Sequence, residues 1–288
     1  MNIIVESGHA PSGLGRVRSE VSGQIRYERL DLAGLPEHAT RLLALAGRPR
    51  ADVRQLTQLV QADRVVESRV LRVAQFAAYQ PSAPIASLGE AIAWLGAGEV
   101  ADIAFTAAVQ GLLFDARRGK GHRDGHWKAS IAAAIWSREI GAVSRRRSPL
   151  TYVCGLLHDI GCHVARLTSH DTAARLGVRL EQDEEDAFVH EFGPPLGRML
   201  AGRWSLPDPI AACIEGWAQW TPGIEASDQV PVVHLAHHLA EIVTQQGPEF
   251  AREALRDNPA LEVLNVSPDR FTALLDRTAW VLNQVRAY

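Results

Sequence analysis

Lysine is nearly missing from this chain of 288 residues: Lys120 and Lys128 are the only two among 30 basic side chains, the rest being arginine. That bias by itself assigns no chemistry. Cysteine is scarce as well. Cys154, Cys162 and Cys213 are an odd number without a CxxC pair, which argues against a disulfide framework and fits a reducing compartment. No unbroken run of 18 apolar residues occurs, so no membrane span is expected. The opening MNIIVESGHAPSGLG has no basic region followed by an apolar run. A signal peptide is therefore not expected, and a cytoplasmic location is. Basic charge is not in excess either: the net charge is -3, without the positive field of a dedicated nucleic-acid binder. The chain also lacks a phosphate-binding glycine loop, a nucleophile elbow, any alternating strand run and any fixed-period repeat.

What is present is apolar content and helical periodicity. Hydrophobic residues make up 47% of the chain, enough for one large domain or two packed subdomains. Residues 1–28 mix Gly, Ser, Pro and charge and read as a loose lead-in. Leu42, Leu45 and Ala46 then share one helix face, stopped by Gly47 and Pro49. Val53, Leu56, Leu59 and Val60 form a second stripe, and Val66, Val70, Val73, Ala74 and Ala77 a third that runs to Tyr79. Ser87 followed by Glu90 predicts a capping box, and another helix is expected from Glu99 to Phe114. Basic, glycine-containing residues 117–125 read as an exposed connector. Downstream, helices are expected over 127–140, 152–157, 171–177, 184–192, 195–203, 208–219, 229–245, 248–257 and 268–285. The expected fold is all-α, a multi-helix bundle with short loops. Its expected units are 29–116, 117–245 and a C-terminal set of helices over 246–288.

One string carries specific chemistry: Gly155-Leu156-Leu157-His158-Asp159-Ile160-Gly161. An imidazole nitrogen and an adjacent carboxylate can reach one divalent ion or bridge two. Gly161 would let the backbone turn away sharply. The structural alternative is that Asp159 caps the following helix while His158 donates to a nearby carbonyl.

GLLHDIG resembles the central motif of the HD superfamily of metal-dependent phosphohydrolases. The upstream half is similar to the HD-related output domain (HDOD) in particular. Leu35-Pro36 before a helix, Ala62-Asp63 with Ser68 to Ala74, Ile85-Ala86-Ser87-Leu88 through Leu95-Gly96, and Trp204-Ser205-Leu206-Pro207 match that family's stretches in order. Together they cover about residues 30–240. The resemblance implies an HD-like helical subdomain with an N-terminal helical subdomain packed on it, and a role in bacterial signal transduction.

An active HD enzyme would need an earlier histidine, the His-Asp pair and a later aspartate. By the resemblance, the earlier histidine falls at Lys128-Ala129-Ser130 and the later aspartate at His237. Further family histidines fall near Gly193 and at Trp217-Ala218. Neither Ala129 nor Gly193 can ligate a metal. The expectation is a non-catalytic regulatory module with a relict site at His158 and Asp159 and no cofactor. The alternative is a residual phosphohydrolase acting on nucleotides or cyclic dinucleotides, with zinc, manganese or iron held by His126, His158, Asp159 and His237. His234, His237 and His238 add imidazoles at i, i+3 and i+4. Arg145, Arg146 and Arg147, with Trp217 and Trp220, are candidates for a partner or ligand surface. Expected partners are signalling proteins, or a nucleotide-type small ligand; nucleic acid is not expected. No receiver, GGDEF-like or helix-turn-helix segment is recognised, so a stand-alone module is expected.

Overall fold

A computed structural model describes residues 12–27, 29–48, 52–76, 84–113, 123–224 and 226–288. These residues are helical almost throughout and contain no strand. The N-terminal part contains α1 (Gly13–Arg26), α2 (Glu37–Ala46), α3 (Val53–Gln61), α4 (Arg64–Gln75), α5 (Leu88–Leu95) and α6 (Ala97–Leu113). Next come α7 (Arg123–Val143), α8 (Thr151–Leu157), α9 (Ile160–Leu176), α10 (Gln182–Arg203), α11 (Asp208–Gly216) and α12 (Val230–Gln246). The chain closes with α13 (Pro248–Ala254), α14 (Pro259–Val263), α15 (Pro268–Leu275) and α16 (Thr278–Ala287).

Local chemistry starts many of these helices. Asp52 accepts from the N–H groups of Arg54 and Gln55, and Asp63 from those of Val65 and Val66, supplying the side-chain caps of α3 and α4. At α5 the expected box forms in modified shape. Ser87 Oγ accepts from Glu90 N, while the Glu90 carboxylate reaches back one residue further, to Ala86 N at 2.7 Å.

The N-terminal helices gather around α6, whose Val100 to Val109 are all buried. No single helix among the described residues is long and apolar enough to cross a membrane. The pair α5 and α6 is apolar in sum but bends by 119° at Gly96, whose φ is +85°. The second half is built on α7, with α8 and α12 laid along it. Gly155 lets α8 approach so closely that a Cβ there would lie 2.8 Å from the Ala133 carbonyl and the Ala134 Cα. The α9–α10 crossing works in the same way. A Cβ on Gly161 would strike the Gly193 carbonyl and lie 2.7 Å from the Gly197 backbone.

Several expectations change. Residues 13–26 are not a loose lead-in: they form α1, with Val17 and Val21 fully buried against α9 and α10. The α4 helix ends at Gln75, and residues 77–83 lie outside the described residues. Of the 117–125 connector, 117–122 also lie outside them, and α7 already begins at Arg123. The predicted gap between 192 and 195 does not exist. Pro194 and Pro195 sit inside α10, and the carbonyls they leave unpaired belong to His190 and Glu191, which face water. The single helix expected over 268–285 is two, α15 and α16.

Candidate functional site

His158 and Asp159 occupy the joint between α8 and α9. His158 is the last residue of the α8 side and Asp159, at φ -107° and ψ 15°, is the residue before α9. Gly161 does not turn the chain away, as expected; it lies in the first turn of α9 and serves the close crossing with α10.

His158 is 2% exposed. Its Nδ1 lies 2.7 Å from the Gly155 carbonyl, and a carbonyl only accepts, so Nδ1 carries the proton. The Nε2 atom then presents a lone pair, 2.9 Å from Nδ1 of His237 on α12. His237 Nδ1 therefore donates. Burial lowers the pKa of both imidazoles, that of His237 to about 3 with the help of neighbouring His158. Both rings are neutral near pH 7.

Asp159 does not cap α9; its carboxylate makes no capping bond. It turns instead toward α7, where Ser130 Oγ lies 2.9 Å from both carboxylate oxygens. His163, one turn along α9, puts Nε2 2.9 Å from the same hydroxyl and 3.5 Å from Asp159 Oδ2. A hydroxyl has one proton to give. The consistent arrangement is His163 Nε2–H donating to Ser130 Oγ, and Ser130 O–H donating to Asp159. Burial pushes the Asp159 carboxyl up, but His158 and His163 outweigh it and hold the group well below the usual carboxylate range.

Trp217 closes the site on the α11 side. Its ring lies 4.8 Å from that of His158 and 4.0 Å from that of His237. His234 ties down the Trp217 backbone with a 2.8 Å contact to its carbonyl, and the Trp220 ring lies tilted 5.2 Å from the His234 ring. Trp220 is only 6% exposed and belongs to the core, while Trp217 is half-buried and covers the two imidazoles. His126 is exposed on α7 and, among the described residues, hydrogen-bonds to neither Asp159 nor His158. Three of the four candidate ligands thus come together, while His126, exposed on α7, lies close enough to feel the charges of Asp159 and His163 without hydrogen-bonding to the pair. Arg145 is exposed with φ +58°, Arg146 pairs with Asp228, and Arg147 faces a cavity described below.

Comparison with known proteins decides the family. The HDOD domain profile matches residues 32–219. The chain belongs to the HDOD family. No curated protein sequence matches it. Among solved structures, the HDOD chain is similar to an HDOD domain protein of unknown function from Geobacter sulfurreducens. That likeness has a TM-score of 0.69 and 22% identity, over 94% of this chain and 95% of the other. It is also similar to a protein from Shewanella amazonensis SB2B provisionally named a metal-dependent phosphohydrolase. There the TM-score is 0.67 and the identity 18%, over 95% and 99% of the two chains. A provisionally named signal transduction protein from Marinobacter aquaeolei VT8 gives 0.65 and 20% identity, over 96% of this chain and 66% of its own. At these identities the likeness establishes the fold.

The side chain that α7 presents to Asp159 is Ser130, a weak ligand already hydrogen-bonded there. Position 129 offers a methyl group, and the Trp217 ring packs against both His158 and His237. Sequence reasoning missed Ser130 and His163. The i, i+4 spacing of Asp159 and His163 was a readable signal, obscured by expecting the helix after the pair to start only at residue 171.

Proposed function

We propose that this HDOD chain is a non-catalytic regulatory module of bacterial signal transduction. On this reading it works by binding, with its His158–Asp159 pocket kept as a structural joint. The carrying observation is that the pocket's polar groups engage one another. Asp159 is engaged by Ser130 and flanked by His163, and His158 spans from Gly155 to His237. The cluster ties α7, α8, α9 and α12 together at one point, and such a closed network holds its members in one geometry. The Marinobacter relative's name supports a signalling role. A cytoplasmic location and signalling proteins as partners complete the reading.

A second reading rests on one further observation. Donor atoms of His237, His238 and Glu241 lie within 4.8 Å of one another at the rim of the pocket. They could hold one divalent cation such as zinc, manganese or iron, as a residual phosphohydrolase would require. Elemental analysis of protein purified without chelators, followed by a nucleotide and cyclic-dinucleotide panel with added manganese, separates the two. Under about a tenth of an equivalent of metal and no turnover is expected. Stoichiometric metal with phosphoester cleavage that Asp159→Ala abolishes would establish the hydrolase instead.

A further inference from the structure

On another part of the molecule, a cavity of about 350 Å³ opens between the N-terminal helices and the HD-like half. Three guanidinium groups reach it from three elements: Arg48 after α2, Arg138 on α7 and Arg147 in the α7–α8 loop. Arg138 is anchored. It pairs with Glu99 and lies 5.5 Å over the Tyr152 ring. Arg48 and Arg147 are exposed and have no carboxylate partner among the described residues.

Asp102 also lines the cavity and is 8% exposed. Its nearest cation is Arg138, at 3.8 Å, and among the described residues no hydrogen bond reaches its carboxyl group. Asp102 thus meets Arg138 only as a loose ion pair, and its carboxyl group still lines the cavity. Burial pushes the Asp102 carboxyl well above the usual carboxylate range. Three cations therefore share the cavity with two carboxylates, Glu99 and Asp102, and both of those lie on Arg138.

A cavity lined by guanidinium forks matches phosphate oxygens, which they bind in pairs. Its volume lies at the small end of ligand pockets. We propose that this cavity binds a small phosphorylated anion, a mononucleotide or smaller, gripped by Arg48, Arg138 and Arg147. The site does not depend on the His158–Asp159 pocket, and it stands whether or not that pocket hydrolyses anything. Its walls come from α2 and α6 on one side and α7 and α8 on the other. Occupancy therefore favours the conformation that holds both sides together.

The test is binding of inorganic pyrophosphate and of adenosine 5′-monophosphate to the full chain, by calorimetry and thermal unfolding, with sulfate at matched ionic strength as control. The expected result is saturable binding of at least one probe, stronger than that of sulfate. Affinity should fall about tenfold or more in the Arg48→Gln/Arg147→Gln double variant. It should stay within about twofold of wild type in Arg145→Gln, which lies outside the cavity. Binding of neither probe, equal binding of sulfate, or unchanged affinity in the double variant would overturn the proposal.

Discussion

Burial acts on Asp102 and on the imidazoles of the His158 pocket in opposite directions. Asp102 keeps its proton in the folded chain at pH values where the unfolded chain has released it. Its contribution to stability is therefore full below about pH 3.8 and is lost as pH rises toward its folded value. His158, His237 and His238 are all lowered by burial, His237 to about 3. The unfolded chain takes up those protons below about pH 6.5 and the folded chain does not, so stability falls as pH drops from there toward 3. Asp102→Asn removes the first dependence and keeps the second. Urea midpoints should show the variant gaining on wild type as pH rises above about 4, with an unchanged acid arm. Parallel curves would mean that Asp102 is ionised in the folded chain. At this scale the sequence was half legible. GLLHDIG marked the pair, but Ser130 and His163 act only because α7 and α9 meet, and that contact is long-range.

Helix contacts give sharper tests. Gly161→Ala would press a methyl group into the backbone of Gly193 and Gly197. Backbone cannot move aside cheaply, so a loss of about 3 kcal/mol or more is expected in chemical unfolding. Gly202→Ala, also in α10 but with nothing within 4 Å of the added Cβ, should be neutral or gain up to about 1 kcal/mol. Equal effects of the two would remove the close-crossing explanation. Deleting residues 1–28 tests α1 directly. A loose lead-in would leave the melting temperature unchanged, whereas losing buried Val17 and Val21 from the α9 surface should lower it by several degrees. Most helices were legible because an apolar stripe at a 3.6-residue period survives in isolation. The polar, glycine-containing α1 has too short a stripe to be read. The exposed prolines of α10 look like a stop although the helix runs through them.

For the molecule as a whole, the all-helical architecture followed from pattern, and HDOD membership from four short stretches in the right order. What the pocket does was less legible. Ligand counting at Ala129 and His237 pointed away from hydrolysis, yet the hydrogen bonds that occupy the remaining groups belong to the tertiary structure. The most direct test of that pocket is the unfolding free energy of wild type and Asp159→Asn, each with and without EDTA. If the cluster is a structural joint, EDTA leaves the wild type unchanged and the variant is weaker by about 2–4 kcal/mol in both conditions. If EDTA instead brings the wild type down to the level of the variant, a bound metal holds the pocket together and the structural reading is wrong.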